Sequence, residues 1–396
     1  EEKITENNLE KKVGDILWKV AEDSANYSFN KSHSISYAIL SAWTTYVKFT
    51  YPQEFFIALL MMAKNEADPF EQISKVSSEL SIYNIKLLRP DLVKSQQDFT
   101  VEGKDIRYGL NAIKGVSEKS LQSILDYNDY IKEIGGAEKL NKFEIFEAAK
   151  QAKINIGLLS GLIQAGTLNS LVGTNSRARL VLEAQSYNIL TDREKRIAKA
   201  YAPKYGDDIL SLISKAGNND SPLMGDDNKL FMKESRLNTF MSKYRPYKEI
   251  YDKNCANKND DFASWYFEKQ LLGHRYSKKL KEALKFRDAQ SMVESRQIID
   301  MNDNAPVKII CTVKSCVKRT SRNDKKYYFI VAEDESGEFK SMFMEREHIP
   351  FLQKGKSSPE KDSIAIIWGR KSNTTVFVHD INVLDNKIYM KLSDIK

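Results

Sequence analysis

The sequence predicts a multidomain chain, mainly α-helical, that ends in an all-β domain. Three observations carry this. The chain has 396 residues, more than one simple core accommodates, so about two to four domains are expected. Apolar residues recur at helical spacing through most of the chain up to Ile298. From Val307 onward the period falls to two, which is the pattern of half-buried strands.

Composition narrows the class. With 41% hydrophobic and 29% charged residues the chain is globular and not intrinsically disordered. No apolar run approaches the roughly 20 residues that span a bilayer, so no membrane partner is expected. Glu1-Glu2-Lys3 lacks signal-peptide character. Cys255, Cys311 and Cys316 are the 3 cysteines, too few for a disulfide framework. They form neither a Cys-x-x-Cys nor a Cys/His cluster, so no structural zinc is expected, and the location expected is a reducing, cytoplasmic one. The net charge of +7 is compatible with a nucleic-acid partner, though its local distribution matters more.

In chain order, the stretch from Asn8 to Lys86 reads as helical. Ile16, Leu17 and Val20 fall at helical spacing, as do Ile39, Ala42, Trp43, Tyr46 and Val47, a stripe suited to core packing. Pro52 ends or restarts that helix. Ahead of the stripe, Asn30-Lys31-Ser32-His33 offers one charge and three directional hydrogen-bonding groups, a combination useful for holding phosphates. Singly, each also reads as a cap, a solvated charge or a surface histidine.

Leu110 and Ile113 are expected inward on a first short helix, Gly115 in a tight turn, and Ser117 as the cap of a helix carrying Leu121 and Ile124. Such a hairpin exposes backbone N–H groups and a positive dipole end that suit a DNA phosphate, with Lys114 and Lys119 adding charge. The alternative is an ordinary αα-hairpin with a glycine turn. A second, degenerate unit covers Ile156 to Leu168. The region from Ser176 to Ile298 reads as a polar helical linker with an Asn/Asp/Gly-rich insertion between Ala216 and Lys229. Its acidic pairs, Asp207-Asp208, Asp226-Asp227 and Asp260-Asp261, have the composition of metal ligands, but none lies on an alternating strand, and they read as solvated loop or helix-end charges.

Five strands are expected at Val307–Val313, Tyr327–Ala332, Phe339–Met344, Ile364–Trp368 and Thr375–Val378, which suits an OB-fold barrel. Cys311 and Cys316, an odd number apart, would lie on opposite faces of a continuous strand. Lys318, Arg319, Arg322, Lys325 and Lys326, interleaved with Tyr328 and its neighbours, suit a single-stranded partner: the charges follow the backbone and a ring stacks a base. A solvated basic hairpin over an aromatic core is the competing reading.

Several phrases resemble the C-terminal part of the bacterial and phage DNA polymerase III α subunit, the C family of replicative polymerases. FNKSHSISYAILSAWTTYVKFTYPQEFFIALL resembles the end of its fingers, and Leu88-Arg89-Pro90-Asp91 the connector leading out of them. Ile106 to Ser120 resembles its helix-hairpin-helix segment, Glu268-Lys269-Gln270-Leu271-Leu272-Gly273 a phrase ahead of its last domain, and Val307 to Gly337 its OB domain. The resemblance implies residues 1–100 as fingers, 101–175 as tandem hairpins, 176–300 as linker and 301–396 as OB domain. It implies Mg²⁺-dependent transfer of a deoxynucleotide, with Asn30, Lys31, Ser32 and His33 near the incoming dNTP. Lys114, Gly115, Ser117 and Lys119 would contact primer-template duplex, and the basic barrel loop the single-stranded template. Leu230 and Phe231 occupy the interval of the family's sliding-clamp peptide without its leading Gln; otherwise they anchor a loop. The resemblance implies that the chain opens partway through the fingers, so the carboxylates that hold Mg²⁺ are expected on a palm-bearing chain or segment. That implies either a split polymerase or a truncated form, and an inactive chain when alone. Asn- and Lys-rich composition suggests a divergent source such as a phage. A non-catalytic DNA-binding accessory protein built from the same modules is the competing class.

Overall fold

The structure is a computed structural model that describes residues 11–28, 31–135, 140–172, 176–216, 223–225, 227–254, 260–286, 288–346, 348 and 358–384. It divides into two compact units, Glu1–Ala58 and Leu59–Lys396.

The first unit contains α1 (Lys11–Ser28), α2 (Lys31–Thr50) and the start of α3 (Pro52–Met62), with Pro52 opening α3 where its missing N–H costs nothing. The helices form as their spacing predicts, but the apolar stripe does not become core. Trp43 is 65% exposed and Tyr46 62%, and Ile16, Leu17 and Val20 are exposed as well. Spacing makes α2 amphipathic, whereas burial needs a second layer, which the described part of this unit does not supply across that face.

In the second unit Asp68 caps α4 (Pro69–Leu80) by accepting the Glu71 N–H at 3.0 Å. A small sheet follows that the spacing did not foretell. Strand β1 (Leu87–Leu88) runs parallel to β3 (Asp105–Arg107), which pairs antiparallel with β2 (Thr100–Glu102). The expected boundary at 100/101 therefore cuts a strand, and the connector belongs to the hairpin domain. Asp91 and Ser95 hold that connector: Asp91 accepts from the Val93 and Lys94 N–H groups, and Ser95 donates to the Tyr108 carbonyl. The expected first hairpin helix is one 3₁₀ turn, Leu110–Ala112, because β3 runs to Arg107 and leaves little chain before Gly115.

Next come α5 (Glu118–Glu133), α6 (Lys142–Gln151), α7 (Ile156–Ala165), α8 (Arg177–Ile189), α9 (Asp192–Tyr205), α10 (Ile209–Ala216), α11 (Glu234–Asn254) and α12 (Asp260–Leu272). Helix α8 was expected in a linker but is buried from Arg177 to Tyr187 except at Arg179, and packs on α7, α10, α11 and α12. Polar residues mislead the sequence reading here because they are neutralised in place: Glu183 takes Lys142 at 2.5 Å and Arg179 at 3.0 Å.

After α13 (Leu280–Ala283) and α14 (Ser295–Asp300) the chain enters a closed barrel of β4 (Pro306–Thr320), β5 (Lys326–Asp334), β6 (Gly337–Met344), β7 (Ile364–Ser372) and β8 (Thr375–Val383). Its order is β4-β5-β6-β8-β7, with β6 and β8 parallel and the other pairs antiparallel: an OB-fold, with all five expected strands in place. Val307, Ile309, Cys311 and Val313 fill its core. Cys316 also packs on that core, contrary to the parity argument. A β-bulge between Val313 and Ser315 makes Lys314 an extra residue and restores the inward face one position later.

Candidate nucleic-acid interface

The first hairpin is fixed from behind by the end of α12. The wholly buried Tyr108 donates its hydroxyl to the Leu272 carbonyl at 2.9 Å, and the Lys114 N–H donates to the Leu271 carbonyl at 3.0 Å. Leu110 and Ile113 are buried as expected. Gly115 has φ +89°, and a Cβ there would meet open space, so conformation and not crowding calls for glycine. Ser117 accepts the Ser120 N–H at 3.3 Å and Ser120 Oγ accepts the Ser117 N–H at 2.8 Å, a capping box that leaves the other first-turn donors outward. Lys114, Gly115, Ser117 and Lys119 are all exposed. The Lys114 ammonium lies 5.8 Å from the Phe70 ring centre.

The second hairpin joins α6 to α7 and repeats the same order of roles. Lys153 takes the left-handed conformation (φ +58°), buried Ile154 follows, and Asn155 caps α7 by accepting the Leu158 N–H at 2.9 Å. Its turn thus lies just ahead of the Ile156–Leu168 stretch that marked it in the sequence. A lysine where the first hairpin has glycine hides the repeat; Asn155 before an apolar helix is the signal that identifies it.

On the barrel, Lys318, Arg319, Arg322, Lys325 and Lys326 are exposed along the β4–β5 hairpin. The Arg319 guanidinium sits 4.4 Å from the Phe329 ring centre. Lys318 is tied to Glu345 at 2.7 Å, which raises its pKa. Tyr328, expected as a stacking ring, belongs to the inner face: it packs on the barrel core, with the His348 ring centre 4.0 Å away. Alternation along β5 leaves Tyr327 and Phe329 as the outward rings.

The phrase Glu268 to Gly273 is a set of structural ties. Fully buried Glu268 takes Arg177 at 2.6 Å and accepts from the Tyr276 and Ser277 N–H groups at 2.6 and 2.8 Å. Gly273 (φ +64°) lies against Phe70, whose carbonyl oxygen would be 2.5 Å from an added Cβ. Lys269 lies 3.8 Å from Glu333; burial, with Arg275 nearby, pulls its ammonium down to about 8. Lys269, Lys114 and the outer face of β4 and β5 line one cleft of about 490 Å³, so the first hairpin and the barrel face a common space. Sequence spacing had no means of bringing Lys269, Arg275, Lys314 and Lys361 to that cleft.

The remaining candidates lie elsewhere. Lys31, Ser32 and His33 begin α2 in the first unit, with the His33 ring 4.5 Å from Tyr37; Asn30 lies outside the described residues. Phe231 is 1% exposed and Leu230 41%, in a loop where Arg193 grips Asp227 through two 2.8 Å bonds and donates to both the Leu230 and Phe231 carbonyls. With Phe231 in the core, the geometry matches the loop-anchor reading and not a peptide presenting both side chains. The described residues of the acidic pairs lie at helix ends and in a loop, as expected, but they are engaged by partners and not merely solvated. Asp208 takes Arg179 at 2.8 Å, Asp207 accepts the Lys142 N–H at 2.9 Å, Asp260 accepts Ser176 Oγ at 2.6 Å, and Asp261 takes Lys278 at 3.0 Å. Asp226 lies outside the described residues. No described helix is long and apolar enough to cross a membrane.

Comparison with known proteins bears on this arrangement. A family model described as a helix-hairpin-helix motif matches residues 84–180. The chain is similar to proteins named DNA polymerase III subunit alpha. It is 37% identical over 155 residues to that of Aquifex aeolicus, covering 39% of this chain and 12% of that protein. It is 33% identical over 176 residues to that of Thermus aquaticus, covering 44% and 14%. It is 30% identical over 192 residues to that of Chlamydia trachomatis, covering 48% and 15%. The chain thus contains a DNA polymerase III α-like region, while the matches span only 12% to 15% of these relatives' lengths. Among solved structures, yeast Stn1 and Ten1 match with a TM-score of 0.19 and 15% identity, over 22% of this chain and 48% of that one, too slight to bear on function.

Proposed function

We propose that this chain is part of a C-family replicative DNA polymerase and grips DNA on both sides of the site of synthesis. The observation that carries this is the pairing of an exposed helix-hairpin-helix turn with an OB barrel in one compact unit, within a chain similar to polymerase III α subunits. The two hairpin turns offer helix N-termini and Lys114, Lys119 and Lys153 to duplex phosphates, which are bound without regard to sequence. The basic β4–β5 hairpin, with Arg319 lying on Phe329, offers charge and a ring to single-stranded template.

The first turn of α2, with Lys31, Ser32 and His33, suits the triphosphate of an incoming dNTP by charge and helix dipole. Mg²⁺ would neutralise the developing phosphate charge in this chemistry. The described acidic pairs do not fit it, because basic groups and helix caps already engage them. The metal-holding carboxylates therefore belong, in this reading, to palm-bearing polypeptide outside this sequence.

The test mixes purified chain with its palm-bearing partner on primed template. Restored synthesis that is lost with Lys31→Ala supports the reading. Tight DNA binding without synthesis, with or without the partner, replaces it with a DNA-binding accessory protein.

A further inference from the structure

The cleft between the first hairpin and the barrel has features that general DNA binding does not account for. Lys314, Lys269 and Arg275 are partnered there: Lys314 with Glu71 at 2.9 Å, and the other two with Glu333 at 3.8 and 3.5 Å. Lys114 and Lys361 line the same space and have no ion-pair partner among the described residues. At its wall stands Thr312, 2% exposed, whose Oγ1 has no hydrogen-bond partner among the described residues. Its neighbours Cys311 and Val313 point into the barrel core, so strand alternation turns Thr312 outward. A buried hydroxyl without a partner is destabilising, and such groups ordinarily find water or a ligand.

We propose that this cleft binds a phosphate group, that of a nucleic-acid strand passing from the hairpin turn onto the barrel, with Lys114 and Lys361 supplying charge and Thr312 a hydrogen bond. The inference rests on the DNA-binding reading above and adds a defined contact between its two modules. A tetrahedral anion fits the chemistry: two flexible ammonium groups need no fixed geometry, while one rigid hydroxyl on a strand gives direction. The cleft, at about 490 Å³, is far larger than one phosphate group. Lys269 supplies an independent signature. It is faced by Arg275, Glu333, Glu335 and Asp362, and with its ammonium already near 8 an anion in the cleft would raise it again. Binding would then take up a proton, and affinity would fall as pH rises through 8.

The experiment titrates the full chain into a labelled short single-stranded oligonucleotide at several salt concentrations, with inorganic phosphate and pyrophosphate as competitors. Lys114→Ala with Lys361→Ala should weaken binding at least tenfold and reduce the salt slope by about 0.7 for each phosphate no longer neutralised. Thr312→Val should weaken binding several-fold with the slope unchanged and melt no lower than the parent, since no hydrogen bond among the described residues depends on that hydroxyl. Oligonucleotide binding that is equal in parent and variants, in both affinity and slope, overturns the site while leaving DNA binding intact. Phosphate or pyrophosphate binding that the variants abolish, with oligonucleotide binding unchanged, overturns the strand assignment in favour of a free anion. A parent chain that binds no oligonucleotide defeats the DNA-binding reading itself.

Discussion

Lys314 of β4 lies 2.9 Å from Glu71 of α4 because the bulge that follows Val313 aims it out of the barrel ladder and toward that helix. A second bond at 3.0 Å ties it to Glu338, so one side chain joins α4, β4 and β6.

The hydrogen bond from Lys314, with that from Lys75, holds the Glu71 carboxyl at about 2, below its ordinary 4.5. A depressed carboxylate stabilises the fold above its unfolded pKa, and that contribution disappears as pH falls from 4.5 toward 2. Glu71→Gln should therefore flatten the stability profile across that window. Because the pair is partly solvated, the loss at neutral pH should be only about 0.5–1 kcal/mol. Chemical denaturation of both proteins at a series of pH values checks this, and parallel profiles would refute it.

Glu268 and Arg177 make the buried counterpart, with side chains 0% and 6% exposed. Glu268→Gln leaves the guanidinium buried without its charge partner and weakens the acceptor for two loop N–H groups. A loss of about 3–5 kcal/mol is expected in urea titrations. A loss under about 1 kcal/mol, the range of exposed pairs, would mean that the pair is readily resolvated.

Gly115 and Gly273 separate conformational strain from crowding. Gly115→Ala meets open space at φ +89°, so it should cost about 1 kcal/mol through backbone strain alone. Gly273→Ala meets the Phe70 backbone at 2.5 Å as well as a positive φ, so it should cost clearly more and displace α4 from the hairpin. Equal melting shifts for the two would contradict this account.

The barrel rings divide by face. Phe329→Ala should weaken single-stranded DNA binding by about 1–3 kcal/mol with little change in melting. Tyr328→Ala should lower the melting temperature by opening the core beside His348, with a smaller effect on DNA. The reverse outcome would reinstate Tyr328 as the stacking ring.

Sequence legibility followed the range of the interaction. All five barrel strands and the roles of Gly115 and Ser117 were readable because alternation, a positive-φ turn and a helix cap depend on neighbouring residues. The second hairpin was half-readable, since Asn155 signals a cap while Lys153 conceals the turn. The paired faces of Cys311 and Cys316, and the inward Tyr328, were misread or missed. A single inserted residue changes strand parity, and which of three adjacent rings faces inward depends on register with β4 and β6.

By itself the sequence determined the long helices, the five barrel strands, their order and the caps at Ser117 and Asn155, because these are set by backbone preferences acting over a few residues; the small sheet of β1, β2 and β3 it did not. Only the tertiary structure decided that Tyr108, Lys114 and the end of α12 lock together, and that Lys361 comes to share a cleft with a hairpin some 250 residues earlier. Such meetings depend on the closure of the barrel and the burial of charges like Glu268, where packing many residues apart outweighs local preference.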